Sequence, residues 1–94
     1  MYKVLIVEDE ELIRKGLIFT TNWLALGCTV VGEAADGEEG LEKIVELTPD
    51  IIIADICMPV LSGLEMIQKA QEAGNSFYPI ILSSYSDFEY ARIS

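Results

Sequence analysis

The sequence predicts a single α/β domain built on an open, doubly wound parallel sheet. Three observations predict it. Short runs of Val, Ile and Leu alternate with segments of helical period, the pattern of strands covered on both faces by crossover helices. Helix starts carry capping chemistry, and Pro or Gly marks the stops. The chain has 94 residues, 51% of them hydrophobic, which suffices for one core and excludes a multi-domain layout.

The first strand is expected at Lys3 to Val7, and it runs directly into acids. A helical face of Leu12, Ile13, Leu17 and Leu24 follows, then a second strand at Thr29 to Ala34. Asp36 with Glu39 forms a capping box, which opens a helix whose apolar face is Leu41, Ile44, Val45 and Thr48. The "TPD" at 48 to 50 ends that helix before a third strand at Ile51 to Ala54. Ser62 with Glu65 opens a third helix, with Leu64, Ile67 and Ala70 on its apolar side, and "GN" at 74 to 75 stops it. The fourth strand is Pro79 to Leu82, and Ser86 with Glu89 marks one more helix start. That helix would have only about eight residues before Ser94, fewer than the ~12 to 15 of a marginally stable isolated helix. One further βα unit is therefore expected beyond the segment.

Composition excludes several functions. Sixteen acids against six basic residues give a formal charge of −10, which repels nucleic acid and anionic lipid, so this segment is not expected to bind DNA itself. There is no histidine, hence no Ser-His-Asp triad, no HExxH zinc site and no phosphohistidine on this chain. Cys28 and Cys57 lie far apart and are read as reduced thiols. No apolar run approaches the roughly 20 residues of a membrane span, and a cytoplasmic location is expected.

The remaining chemistry rests on carboxylates. In open α/β sheets ligands bind beyond the carboxyl ends of the strands. The run "DIIIADICMP" ends its strand in Asp55, and the first strand ends beside Glu8 and Asp9. If strands one and three are neighbours, three carboxylates share one pocket. Such a cluster persists with a cation or with one group protonated; a divalent metal is the economical answer, and Mg2+ suits oxygen ligands while leaving one carboxylate able to attack phosphorus. Blander readings exist for each residue. Asp55 could close a turn, Asp9 could cap the first helix, and Ser84 is placed as well as Ser83 by spacing alone. Cys57 has no basic neighbour to activate its thiol, Met58 and Pro59 suit loop shape, and Trp23 suits packing under the first helix.

Taken together, "VLIVEDE" at 4 to 10, "DIIIADICMP" at 50 to 59, "SG" at 62 to 63 and "PIILSSYSDFEYA" at 79 to 91 resemble the receiver domain of bacterial response regulators. "NWLALG" at 22 to 27 and "VVGEAADGEEGL" at 30 to 41 are similar to receivers attached to AraC-type DNA-binding regulators. The resemblance spans residues 1 to 94 as one receiver domain and implies the flavodoxin-like strand order 2-1-3-4-5, truncated here before the fifth strand and fifth helix. It implies that Asp55 accepts a phosphoryl group from a sensor histidine kinase. Glu8, Asp9, Asp55 and the backbone carbonyl of Cys57 would hold Mg2+. Ser83 would contact the phosphoryl oxygens and switch with them, while Cys57 and Tyr85 would tune the lifetime of the phosphate. The family's lysine on the fifth strand has no counterpart, since Lys3, Lys15, Lys43 and Lys69 belong to other elements.

Three functions follow as expectations. The first is a phosphoacceptor signalling module, not an enzyme, controlling a DNA-binding output domain that lies outside residues 1 to 94. The second is an aspartate-nucleophile phosphatase, which the sequence disfavours because Cys57 stands where the D-x-D-x-T pattern of such enzymes needs its second Asp. The third is an interaction module, a fragment not expected to be phosphorylated because it is cut short, which only pairs with itself, as a homodimer across the open edge of the fourth strand, or with a partner.

Overall fold

The computed structural model describes residues 1–56, 58 and 60–82. Its elements run β1 (Tyr2–Val7), α1 (Glu11–Thr20), a 3₁₀ turn (Leu24–Leu26), β2 (Cys28–Ala34), α2 (Gly37–Leu47), β3 (Ile51–Asp55), α3 (Gly63–Glu72) and β4 (Tyr78–Leu82). The described strands form one parallel sheet in the order β2-β1-β3-β4. Both the predicted class and the implied order therefore hold, and each strand extends its predicted span by one residue at one end. Ser83, Tyr85 and the Ser86/Glu89 cap lie outside the described residues.

Alternation along β1 divides the core. Leu5 and Val7 point to one face, where they pack with Ile44 of α2, Ile52 and Ala54 of β3, and Met66, Ile67 and Ala70 of α3. Val4 and Ile6 point to the other, with Cys28, Ile53 and, from the α1 side, Leu17, Ile18 and Trp23. Leu5, Ile6, Ile52 and Met66 are fully buried. Trp23 is a packing residue, as expected, and its indole N–H donates to the Ile18 carbonyl at 3.1 Å.

The two helix starts on the α2/α3 side follow the capping prediction. Asp36 accepts from the Glu39 amide at 2.8 Å, and Ser62 accepts from the Glu65 amide at 3.2 Å. Stops are equally local: Thr48 adopts the left-handed conformation at φ 44°, and Gly74 does so at φ 97°.

The apolar stripes were read too broadly. Leu24 lies in the 3₁₀ turn and not on α1, because α1 ends at Thr20 and Asn22 begins a new turn by accepting from the Ala25 amide. Leu12 is 87% exposed and Ile13 46%, so α1 meets the sheet through Leu17 and Ile18. Val45 and Leu64 are also exposed. Helical spacing alone does not tell how far along each helix the contact with the sheet extends.

Candidate functional site

Register places the site. Val7 of β1 stands opposite Ala54 of β3, and on the other side opposite Ala34 of β2. The residue just after β1 is Glu8, and the last residue of β3 is Asp55, so both acids stand at the same edge of adjacent strands. Asp9 follows in the turn to α1. One carboxylate oxygen from each of Glu8, Asp9 and Asp55 lies within 4.8 Å of the others. Three of the site residues expected from sequence are thus brought together; Cys57 and Ser83 lie outside the described residues.

Backbone contacts hold this edge. The Glu8 amide donates to the Ala34 carbonyl at 3.0 Å, and the Ile56 amide to the Leu82 carbonyl at 3.3 Å. On the far side of the β3–α3 loop, the Gly63 amide returns to the Ile56 carbonyl at 3.2 Å. A Cβ on Gly63 would overlap the Asp55 carbonyl oxygen, so only glycine lets α3 begin against the end of β3. This gives the "SG" pair a structural reason: Ser62 caps the helix and Gly63 provides clearance. Val60, in the same loop, takes a left-handed φ of 72°, unusual for a β-branched residue and a local strain.

Glu8 is 3% exposed, and its carboxyl is pushed up from 4.5 to about 7. Burial is the largest cause, and Asp55 and Asp9 add to it by charge repulsion and hydrogen bonding, while the Glu10 amide, donating to Glu8 Oε1 at 3.1 Å, opposes the rise. Asp9 does not cap α1, whose N-cap is Glu10 with no side-chain cap bond. The donor set is therefore oxygen-only, anionic and crowded, with one member almost dry. Those properties fit a hard divalent cation that takes carboxylate oxygens and keeps part of its water.

Two further residues belong to the site. Arg14 of α1 donates from Nη1 to the Glu8 carbonyl at 2.7 Å and from Nε to Glu33 Oε1 at 2.8 Å. Lys15 also pairs with Glu33 at 2.8 Å, and the two cations hold the Glu33 carboxyl below its ordinary value. Sequence reasoning missed this pair, because Arg14 and Glu33 are 19 residues apart on different elements and nothing local links them.

Comparison with known proteins agrees with this geometry. The family model for the response regulator receiver domain matches residues 4–93. The chain is 41% identical over 92 residues to the uncharacterized transcriptional regulatory protein YesN of Bacillus subtilis, and 37% identical over 92 residues to the transcriptional regulatory protein HptR of Staphylococcus aureus. In both matches 98% of this chain is aligned, but it spans only 25% of YesN and 36% of HptR. Among solved structures it is similar to the REC domain of AraT, a response regulator from Geobacillus stearothermophilus, with a TM-score of 0.87, 36% identity, and 98% of this chain and 71% of that one covered. A two-component transcriptional regulator AraC from Clostridium phytofermentans superposes with a TM-score of 0.84 at 34% identity, over 98% of this chain and 74% of the other. A parallel sheet of this order, with its acids gathered where β1 and β3 end, is thus joined to a family match over nearly all of the sequence, and the chain belongs to the response regulator receiver domain family.

Proposed function

We propose that this receiver domain takes a phosphoryl group on Asp55 from a sensor histidine kinase and thereby controls a DNA-binding output domain. The observation that carries the reading is the convergence of Glu8, Asp9 and Asp55 at one strand edge in a chain of this family. The transcriptional regulators it matches are longer than this segment, which supports an output domain in the whole protein.

In the proposed step an Asp55 carboxylate oxygen attacks phosphorus, forming an acyl phosphate. The bond from phosphorus to the donor imidazole breaks, and its electron pair leaves with the donor, which takes up a proton. Mg2+, held by Glu8, Asp9, Asp55 and the Cys57 carbonyl, would supply charge neutralisation for the phosphoryl oxygens. The chain's own contribution is positional: β3 presents Asp55 at its end, and Gly63 fixes the loop behind it. Ser83 is proposed to contact the phosphoryl oxygens. The activity is signalling, with no turnover of external phosphoesters.

Among the described residues no helix is long and apolar enough to cross a membrane, which agrees with the proposed cytoplasmic setting. Self-association through the β4 side remains part of the proposal, to be checked by size measurement. The main test is intact mass after incubation with Mg2+ and a small phosphodonor. Wild type is expected to gain one phosphoryl group and Asp55→Asn none; equal gain by both would remove Asp55 from the role.

A further inference from the structure

We propose that Arg14 is the positioning residue of the acidic turn, tying the Glu8 carbonyl to Glu33 of β2 and so fixing the two carboxylates that the β1–α1 turn offers to a divalent cation. The inference rests on the reading that the acid cluster binds Mg2+, but its own evidence is separate. Nothing caps α1 in the ordinary way: Glu10 stands at the N-cap with no side-chain bond to the first turn. Packing holds the helix through the part-buried Leu17 and Ile18, and none of its residues is fully buried. Arg14 reaches back from the second turn, past the N-cap, to the carbonyl of Glu8 at 2.7 Å.

The guanidinium is suited to this. Its side chain is 11% exposed, and its planar fork serves two acceptors at once, Glu8 O through Nη1 and Glu33 Oε1 through Nε. Glu33 lies opposite Ile6 in the β1–β2 ladder, so the tether ends on rigid sheet. An unbalanced cation near three carboxylates would compete with a bound metal ion. Here Glu33, shared between Arg14 and Lys15, offsets one of their two charges, and the bond to the Glu8 carbonyl adds a geometric constraint, as partners behind metal ligands commonly do.

Charge and geometry predict opposite signs, which makes the idea testable. If Arg14 acted only as a nearby positive charge, removing it would tighten Mg2+ binding. As a positioning residue, its removal weakens binding. Lys15 supplies the control, because it is the next residue, carries the same charge and shares Glu33, yet has no bond to Glu8 in this geometry.

The experiment compares wild type, Arg14→Met, Arg14→Lys and Lys15→Met in two measurements. Calorimetric titration with Mg2+ is expected to show about tenfold weaker binding for both Arg14 variants and no weakening for Lys15→Met. In metal-free protein, NMR-detected amide exchange at Glu10, whose N–H rests on Glu8 Oε1, is expected to speed up in the Arg14 variants alone. Arg14→Lys keeps the charge and the milder side chain, so it answers if Arg14→Met folds poorly. Tighter or unchanged Mg2+ binding in the Arg14 variants would overturn the proposal, as would equal effects in Lys15→Met. Should wild type bind no Mg2+, the reading of the acid cluster fails, and the exchange arm alone then decides for or against the tether.

Discussion

Glu8 and Asp55 leave adjacent parallel strands at the same level, one residue beyond the Val7 and Ala54 pair, and with Asp9 their carboxylate oxygens fall within 4.8 Å. The sheet register brings like charges together, and the protein holds this arrangement at a cost in the metal-free state. Glu8 carries such a cost, being nearly dry and raised to about 7.

Removing the charge should therefore stabilise the metal-free fold. At pH 8 Glu8→Gln is expected to be more stable than wild type, because it puts no ionised carboxylate into this dry site. The same variant should bind Mg2+ more weakly. Chemical denaturation with and without Mg2+ checks both, and a destabilised Glu8→Gln in metal-free buffer would contradict the assignment.

The pH dependence has a definite sign. Between about 4.5 and 7, native Glu8 keeps a proton that the unfolded chain has released. Stability from this group is thus present at the acid end of the window and is lost as pH rises through about 7, provided no metal is bound. Mg2+ needs the ionised carboxylate, so its affinity should rise over the same range, by roughly tenfold from pH 6 to pH 8, with proton release on binding. Titration calorimetry in buffers of different ionisation enthalpy reads both quantities.

Two glycines should respond oppositely to the same substitution. Gly63→Ala drives a methyl into the Asp55 carbonyl and is expected to destabilise by about 2 to 3 kcal/mol and to weaken Mg2+ binding. Gly16→Ala, in the middle of α1 with nothing within 4 Å of the added carbon, is expected to stabilise by about 1 kcal/mol and leave the site alone. Thermal denaturation of the pair compares them directly.

Much of this was legible from local chemistry. Strand runs, the Asp36 and Ser62 caps and the acids following β1 and β3 are each written in a few consecutive residues, and the parallel class follows from their alternation. The strand order that joins Glu8 to Asp55 came from the family resemblance, since spacing alone leaves the neighbours open. What could not be read depends on contacts between distant elements. The Arg14 and Glu33 pair joins α1 to β2, and the exposure of Leu12 and Ile13 depends on where α1 meets the sheet. Gly63 looked like part of a motif, but its reason is the Asp55 carbonyl behind it.

The most direct test of the account is an NMR titration of the amide spectrum with Mg2+, compared between wild type and Asp55→Asn. The account predicts saturable shifts centred on Glu8, Asp9, Glu10, Asp55 and Ile56, strongly weakened in the variant. Shifts absent from these amides, or concentrated instead on the acidic face of Asp36, Glu38, Glu39 and Glu42, would contradict it.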